Sequence, residues 1–114
     1  MPLSKPMLKK LRERDKWCWH CMSTDDLVPH HRRNRGMGGS KILDRYDNLL
    51  LICAEFNGAM ESDPDVAAQA KLFGQKLSSW DDFSNPVFDT LNLIWYVLDV
   101  AGDKQQCDAP SYLI

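Results

Sequence analysis

The chain lacks any apolar run able to cross a membrane: its longest, LLLIC at 49–53, falls far short of the ~20 residues a spanning helix needs. A charged-then-apolar signal segment is also missing, since MPLSKPMLKKLRERDK reads as a basic amphipathic start. Cysteine is scarce, and four residues are too few for the disulfide framework of a small secreted domain. No internal repeat and no low-complexity stretch interrupts the sequence. These absences predict a soluble, cytoplasmic protein with no membrane partner.

The 114 residues and 44% apolar content suit one globular domain with a modest core, and are too apolar for a disordered chain. Net charge is only −2, but it is unevenly placed. Residues 1–47 carry eleven Lys/Arg against six Asp/Glu, and residues 48–114 carry three against ten. A basic front and an acidic back suit a protein that offers one face to a polyanion, although ordinary solvated helix charge produces the same pattern. Cys18 and Cys21 form a C-x-x-C turn with a helical segment before it and the polar STDD after it. A redox pair wants a strand before and a helix after, so this setting favours a metal or a purely structural role.

Leu3, Met7, Leu8 and Leu11 recur at helical spacing, predicting a helix over about 5–15 with Lys9, Lys10, Arg12 and Arg14 turned outward. LVPHH reads as a short strand that Pro29 confines to an edge or an end, and residues 32–47 as an irregular loop punctuated by Gly36, Gly38 and Gly39. NLLLI reads as a buried strand, and 53–62 turns helical with Phe56 and Met60 on one face. Asp63 and Pro64 start a second helix that ends at Gly74. After PVF at 86–88, NLIWYVLDV at 92–100 alternates partly and is rich in β-formers, so it reads as a strand, and the last dozen residues are expected to be loosely attached. Trp17, Trp19, Phe56, Trp80 and Trp95 are assigned to the core.

Polar residues fall at particular points of this frame. His30 and His31 end the first strand, Asn48 follows His31 by 17 residues, Asn57 comes 9 later, and Glu61 another 4. The i, i+4 spacing places Asn57 and Glu61 on one helical face, within reach of a single ion. Taken singly, the histidines read equally as polar strand-end residues, Asn48 as a turn residue, and Asn57 and Glu61 as a solvated face.

Taken together, the order His-His, Asn and a helical ligand pair resembles the HNH (ββα-metal, His-Me finger) endonuclease family. HHR-x-x-RGMGG followed by NLL-x-IC is most similar to its small phage-encoded members. The flanking RERDKWCWHC and ESDPDVAAQA agree, so the resemblance spans roughly residues 8–103. It implies an α+β fold: a ββα-metal core over about 17–62, a basic helix over 5–15, and a C-terminal helix with a small β element over 63–103. It further implies a DNA endonuclease or nickase working in the host cytoplasm. In that pattern His31 is the general base, since imidazole ordinarily titrates near ~6.5, and His30 is the adjacent metal ligand. Neighbours on a regular strand face opposite ways, so both can serve only where the strand breaks up.

Asn48 matches the family's middle Asn, which braces the loop and orients the base. Asn57 and Glu61 complete the ligand set, and one nitrogen with two oxygens favours magnesium or manganese over zinc. Arg32, Arg33, Arg35 and Lys41 then hold DNA phosphates.

The chain departs from the family at its structural zinc, for which many members use two C-x-x-C pairs. Cys18, Cys21 and Cys53 are present, but Phe56 stands in the fourth position. Either zinc is lost and Phe56 fills the space, or His20 or Cys107 completes the site; the missing ligand favours no zinc. The rival to a nuclease is a decayed family member, a phage regulatory or host-directed factor that binds nucleic acid or a protein partner. Asn57, the missing cysteine and the net acidity favour that rival. Joint retention of His30, His31, Asn48, Asn57 and Glu61 opposes it.

Overall fold

The computed structural model describes residues 3–33 and 43–113, and its architecture is mixed α+β. Helix α1 (Lys5–Arg14) leads to an antiparallel pair, β1 (Leu27–His31) and β2 (Leu49–Cys53), followed directly by α2 (Ala54–Ser62) and α3 (Pro64–Leu72). A separate antiparallel sheet in the order β3 (Val87–Asp89), β4 (Ile94–Leu98), β5 (Lys104–Cys107) closes the chain. No helix among the described residues is long and apolar enough to cross a membrane.

All five residues of β2 are buried because the strand is covered on both faces. Leu49 and Leu51 pack on Leu11 of α1, while Leu50 and Ile52 join Trp19, Phe56, Met60 and Val87 in the larger core. Continuous apolar character, rather than alternation, is what two-sided burial demands. Arg14, expected to face outward, is instead buried and forms a bidentate pair with Asp15, Nε to Oδ1 at 2.7 Å and Nη2 to Oδ2 at 2.9 Å. Arg14 also donates to the Leu49 carbonyl, and Asp15 Oδ2 accepts from the Leu51 amide at 3.0 Å. The pair therefore satisfies the edge of β2 that β1 leaves open, which amphipathic spacing alone does not reveal.

Asp63 ends α2 and starts α3, its Oδ1 accepting from the Asp65 amide at 2.9 Å, with Pro64 at the first helical position. Gly74 then turns the chain with φ +68°, and a Cβ built there would stand 1.9 Å from the Pro86 carbonyl oxygen. Strands β4 and β5 are joined by a turn in which Asp99 Oδ1 accepts from the amides of Ala101 and Asp103, both at 2.9 Å.

Two expectations fail outside the core. Residues 104–107 were expected to belong to a loose tail, but they form β5, and Tyr112 further anchors the end by donating to the Leu72 carbonyl at 3.1 Å. KQQC carries little β-propensity; the turn before it brings it alongside β4, and Lys104 Nζ lies over the Trp19 and Tyr96 rings, 5.3 and 4.7 Å from their centroids. Trp80, expected in the core, is 83% exposed.

Candidate functional site

His30 and His31 close β1, opposite Leu50 and Leu49 respectively. The ladder runs unbroken through His31, contrary to the expected break at the histidines, so the two side chains leave opposite faces of the hairpin. His30 Nε2 donates to the Gln75 carbonyl at 2.8 Å. Because a carbonyl can only accept, the proton sits on Nε2 and the lone pair on Nδ1. Burial lowers His30 to about 4, keeping the ring neutral at physiological pH. His31 Nε2 lies 2.7 Å from Asp44 Oδ1. The carboxylate assigns that nitrogen its proton and again leaves Nδ1 as the basic atom.

Asn48 is fully buried and ties together both ends of the intervening segment. Its Oδ1 accepts from the Arg33 amide at 2.7 Å, and its Nδ2 donates to the carbonyls of Leu43 at 2.9 Å and Arg33 at 3.2 Å. The side chain thus spans the stretch from Arg33 to Leu43, next to His31 and Asp44. Arg35 and Lys41, two of the expected phosphate contacts, lie outside the described residues.

Arg32 does not fit the phosphate-contact role expected of it. It is fully buried, and its guanidinium donates to the carbonyls of Gly74, Asp47, Phe83 and Asn85 at 2.6–3.2 Å. Burial lowers it to about 10, so it remains charged at neutral pH and acts as an internal tie. Arg33 is half-buried, its guanidinium stacked on the Phe83 ring 4.7 Å from the centroid.

On α2, Phe56 and Met60 fill the buried stripe. Asn57 and Glu61 each lie one residue further, about 100° round the helix, the first half-buried and the second exposed. Helix α2 packs on β1 and β2, but no hydrogen bond among the described residues joins His30, Asn57 and Glu61.

The three thiols gather at the far end of the hairpin, where Leu27 pairs with Cys53. The sulfurs of Cys18, Cys21 and Cys53 all lie within 4.8 Å of one another, a cluster able to hold a metal, with Cys21 and Cys53 in contact at 3.0 Å. Desolvation of the sulfur, with the Cys53 thiol beside it, pushes the Cys21 thiol up to about 12. Neither expected fourth ligand joins the cluster. His20 stacks flat on Phe56, its Nδ1 held 2.9 Å from Gln75 Oε1, and Cys107 sits on β5 opposite Trp95.

Sequence reasoning missed Asp44 and Gln75. Asp44 carries a weak signal, an acid four residues ahead of Asn48. Gln75 carries none: it reaches His30 through its backbone and His20 through its side chain, both by tertiary contact. Compared with family models, curated proteins and solved structures, the chain matches none.

Proposed function

We propose that the protein is a metal-dependent DNA endonuclease or nickase of the HNH type. The observation that carries this reading is the matched state of the two histidines, each with Nε2 engaged by an oxygen and Nδ1 left as the lone-pair atom. In this reading His31 Nδ1 takes the proton of the attacking water, and Asp44 holds the ring in the required tautomer and stabilises the imidazolium that forms. Asn48 keeps the neighbouring loop ends in place. His30, Asn57 and Glu61 would hold a magnesium or manganese ion to supply charge stabilisation at the scissile phosphate, which requires the end of β1 to open so that the two histidines turn to one side. Arg33, with Arg35 and Lys41, steadies the DNA backbone.

The deciding experiment is a supercoiled-plasmid assay with EDTA, magnesium and manganese, run beside His31→Ala. Cleavage is expected with either ion and not with EDTA, and the variant should lose ~10²–10⁴-fold in rate with its fold and DNA binding intact. Wild-type cleavage by the variant would remove His31 from the mechanism. A second reading, a non-catalytic module for nucleic acid or a protein partner, is favoured by the unbroken β1 ladder that sends the two rings to opposite faces. It takes over if neither magnesium nor manganese supports cleavage and neither binds at millimolar concentration.

A further inference from the structure

A neutral thiol needs few hydrogen-bond donors, whereas a thiolate held by a metal is stabilised by amides aimed at the sulfur. Three backbone amides are so placed here. Those of His20 and Cys21 donate to Cys18 Sγ at 3.4 and 3.5 Å, and that of Phe56 donates to Cys53 Sγ at 3.3 Å. The turn after Cys18 and the start of α2 therefore aim backbone amides at two of the three sulfurs. The third, Cys21 Sγ, touches Cys53 Sγ. All three fall within 4.8 Å of one another, and zinc at ~2.3 Å from each would need them roughly 3.8 Å apart, a small adjustment of side chains.

A closed four-ligand zinc does not fit these residues. Phe56, in the first turn of α2 three residues after Cys53, offers no ligand atom. Its ring lies parallel to His20, 5° between planes and 4.0 Å between centroids, and Gln75 holds that imidazole. Beside the cluster is a cavity of 230 Å³ bordered by His20, Cys21, Cys53, Glu55 and Phe56. A water molecule's share of liquid volume is about 30 Å³, so the cavity admits a ligand larger than water.

We propose that Cys18, Cys21 and Cys53 bind one zinc ion as three thiolates and leave its fourth position to a solvent-borne ligand that enters this cavity. Water fills the position at rest, and a small nitrogen or sulfur donor displaces it. Each thiol gives its proton to solvent as its sulfur–zinc bond forms, so three protons leave per ion and no electron is transferred. Three protein ligands with an exchangeable fourth is the arrangement of reactive rather than purely structural zinc. The site lies at the opposite end of the hairpin from His31 and does not depend on the nuclease reading.

The test is titration of the reduced full-length chain with cobalt(II), whose thiolate charge-transfer absorption distinguishes this cluster from any site of nitrogen and oxygen donors. One ion per chain is expected, with visible bands that shift when imidazole or 2-mercaptoethanol is added. Cys107→Ser should leave the spectrum unchanged, and Phe56→Cys should abolish the shift by supplying a fourth thiolate. If Phe56→Cys does not fold, the ligand-induced shift in the unaltered chain decides alone. The proposal is overturned if the reduced protein binds no ion with thiolate absorption, or if neither added ligand moves the bands. It is equally overturned if His20→Ala, Glu55→Ala or Cys107→Ser changes the resting spectrum, because a side chain of the protein would then be closing the site.

Discussion

The Arg32 guanidinium reaches four carbonyls from three separate stretches of chain, so its loss strands several buried acceptors at once. Each stranded acceptor costs ~1–3 kcal/mol, and Arg32→Leu should therefore lower stability by more than about 3 kcal/mol. Arg33→Ala, which removes a stacked and half-buried side chain, should cost less than about 1 kcal/mol. Urea midpoints of the two variants check this, and similar shifts would refute the internal-tie role. His30 makes a pH prediction. With 6.5 in the unfolded chain and about 4 in the fold, the unfolded state binds the extra proton between those values. Stability attributable to the neutral ring is present above pH 6.5, is lost as pH falls toward 4, and amounts to roughly 3 kcal/mol. His30→Gln should flatten that part of the stability–pH curve, and an unchanged slope would show that the ring does not titrate as described.

At the scale of elements, Gly74 controls how α3 hands over to the second sheet. An alanine there must adopt φ +68° and clear the Pro86 carbonyl, so Gly74→Ala should destabilise by more than the ~1 kcal/mol of the backbone conformation alone. Thermal unfolding beside Gly58→Ala, whose Cβ would meet nothing within 4 Å, provides the comparison. Helices α1, α2 and α3 and strands β1 and β2 were legible because apolar spacing, the Asp63–Pro64 start and the unbroken LLLI run each encode local structure. Strand β5 was not legible, since its pairing with β4 depends on a turn at 99–103 and on the tertiary contacts of Lys104 with Trp19 and Tyr96 rather than on the β-propensity of its residues.

Across the whole molecule, eleven of the fourteen Lys/Arg lie before residue 48, but that count overstates the surface available to a polyanion. Arg14 and Arg32 are buried ties, and Arg45 forms a bidentate pair with Asp47 at 2.7 Å. DNA binding, if it follows the proposed function, should therefore rest on few phosphate contacts. Arg33→Ala should reduce the slope of log affinity against log salt by about one, while Lys71→Ala on the acidic half leaves it unchanged. Anisotropy of a labelled duplex over a salt series measures both. Equal effects would mean that binding is diffuse rather than placed beside the histidines.

The sequence by itself determined most of the helices and strands and the order in which the candidate residues fall along them, because spacing, capping and apolar runs are local properties. The resemblance to the HNH pattern, rather than local spacing alone, singled out His30, His31, Asn48, Asn57, Glu61 and the three cysteines as candidates. The tertiary structure alone decided what each group is free to do. It buried Arg14 and Arg32 against carbonyls, set His31 against Asp44 and His30 against Gln75, and seated Phe56 and His20 beside three sulfurs. Those outcomes depend on partners 13–53 residues distant and on the competition among buried polar groups for acceptors, which no local pattern records.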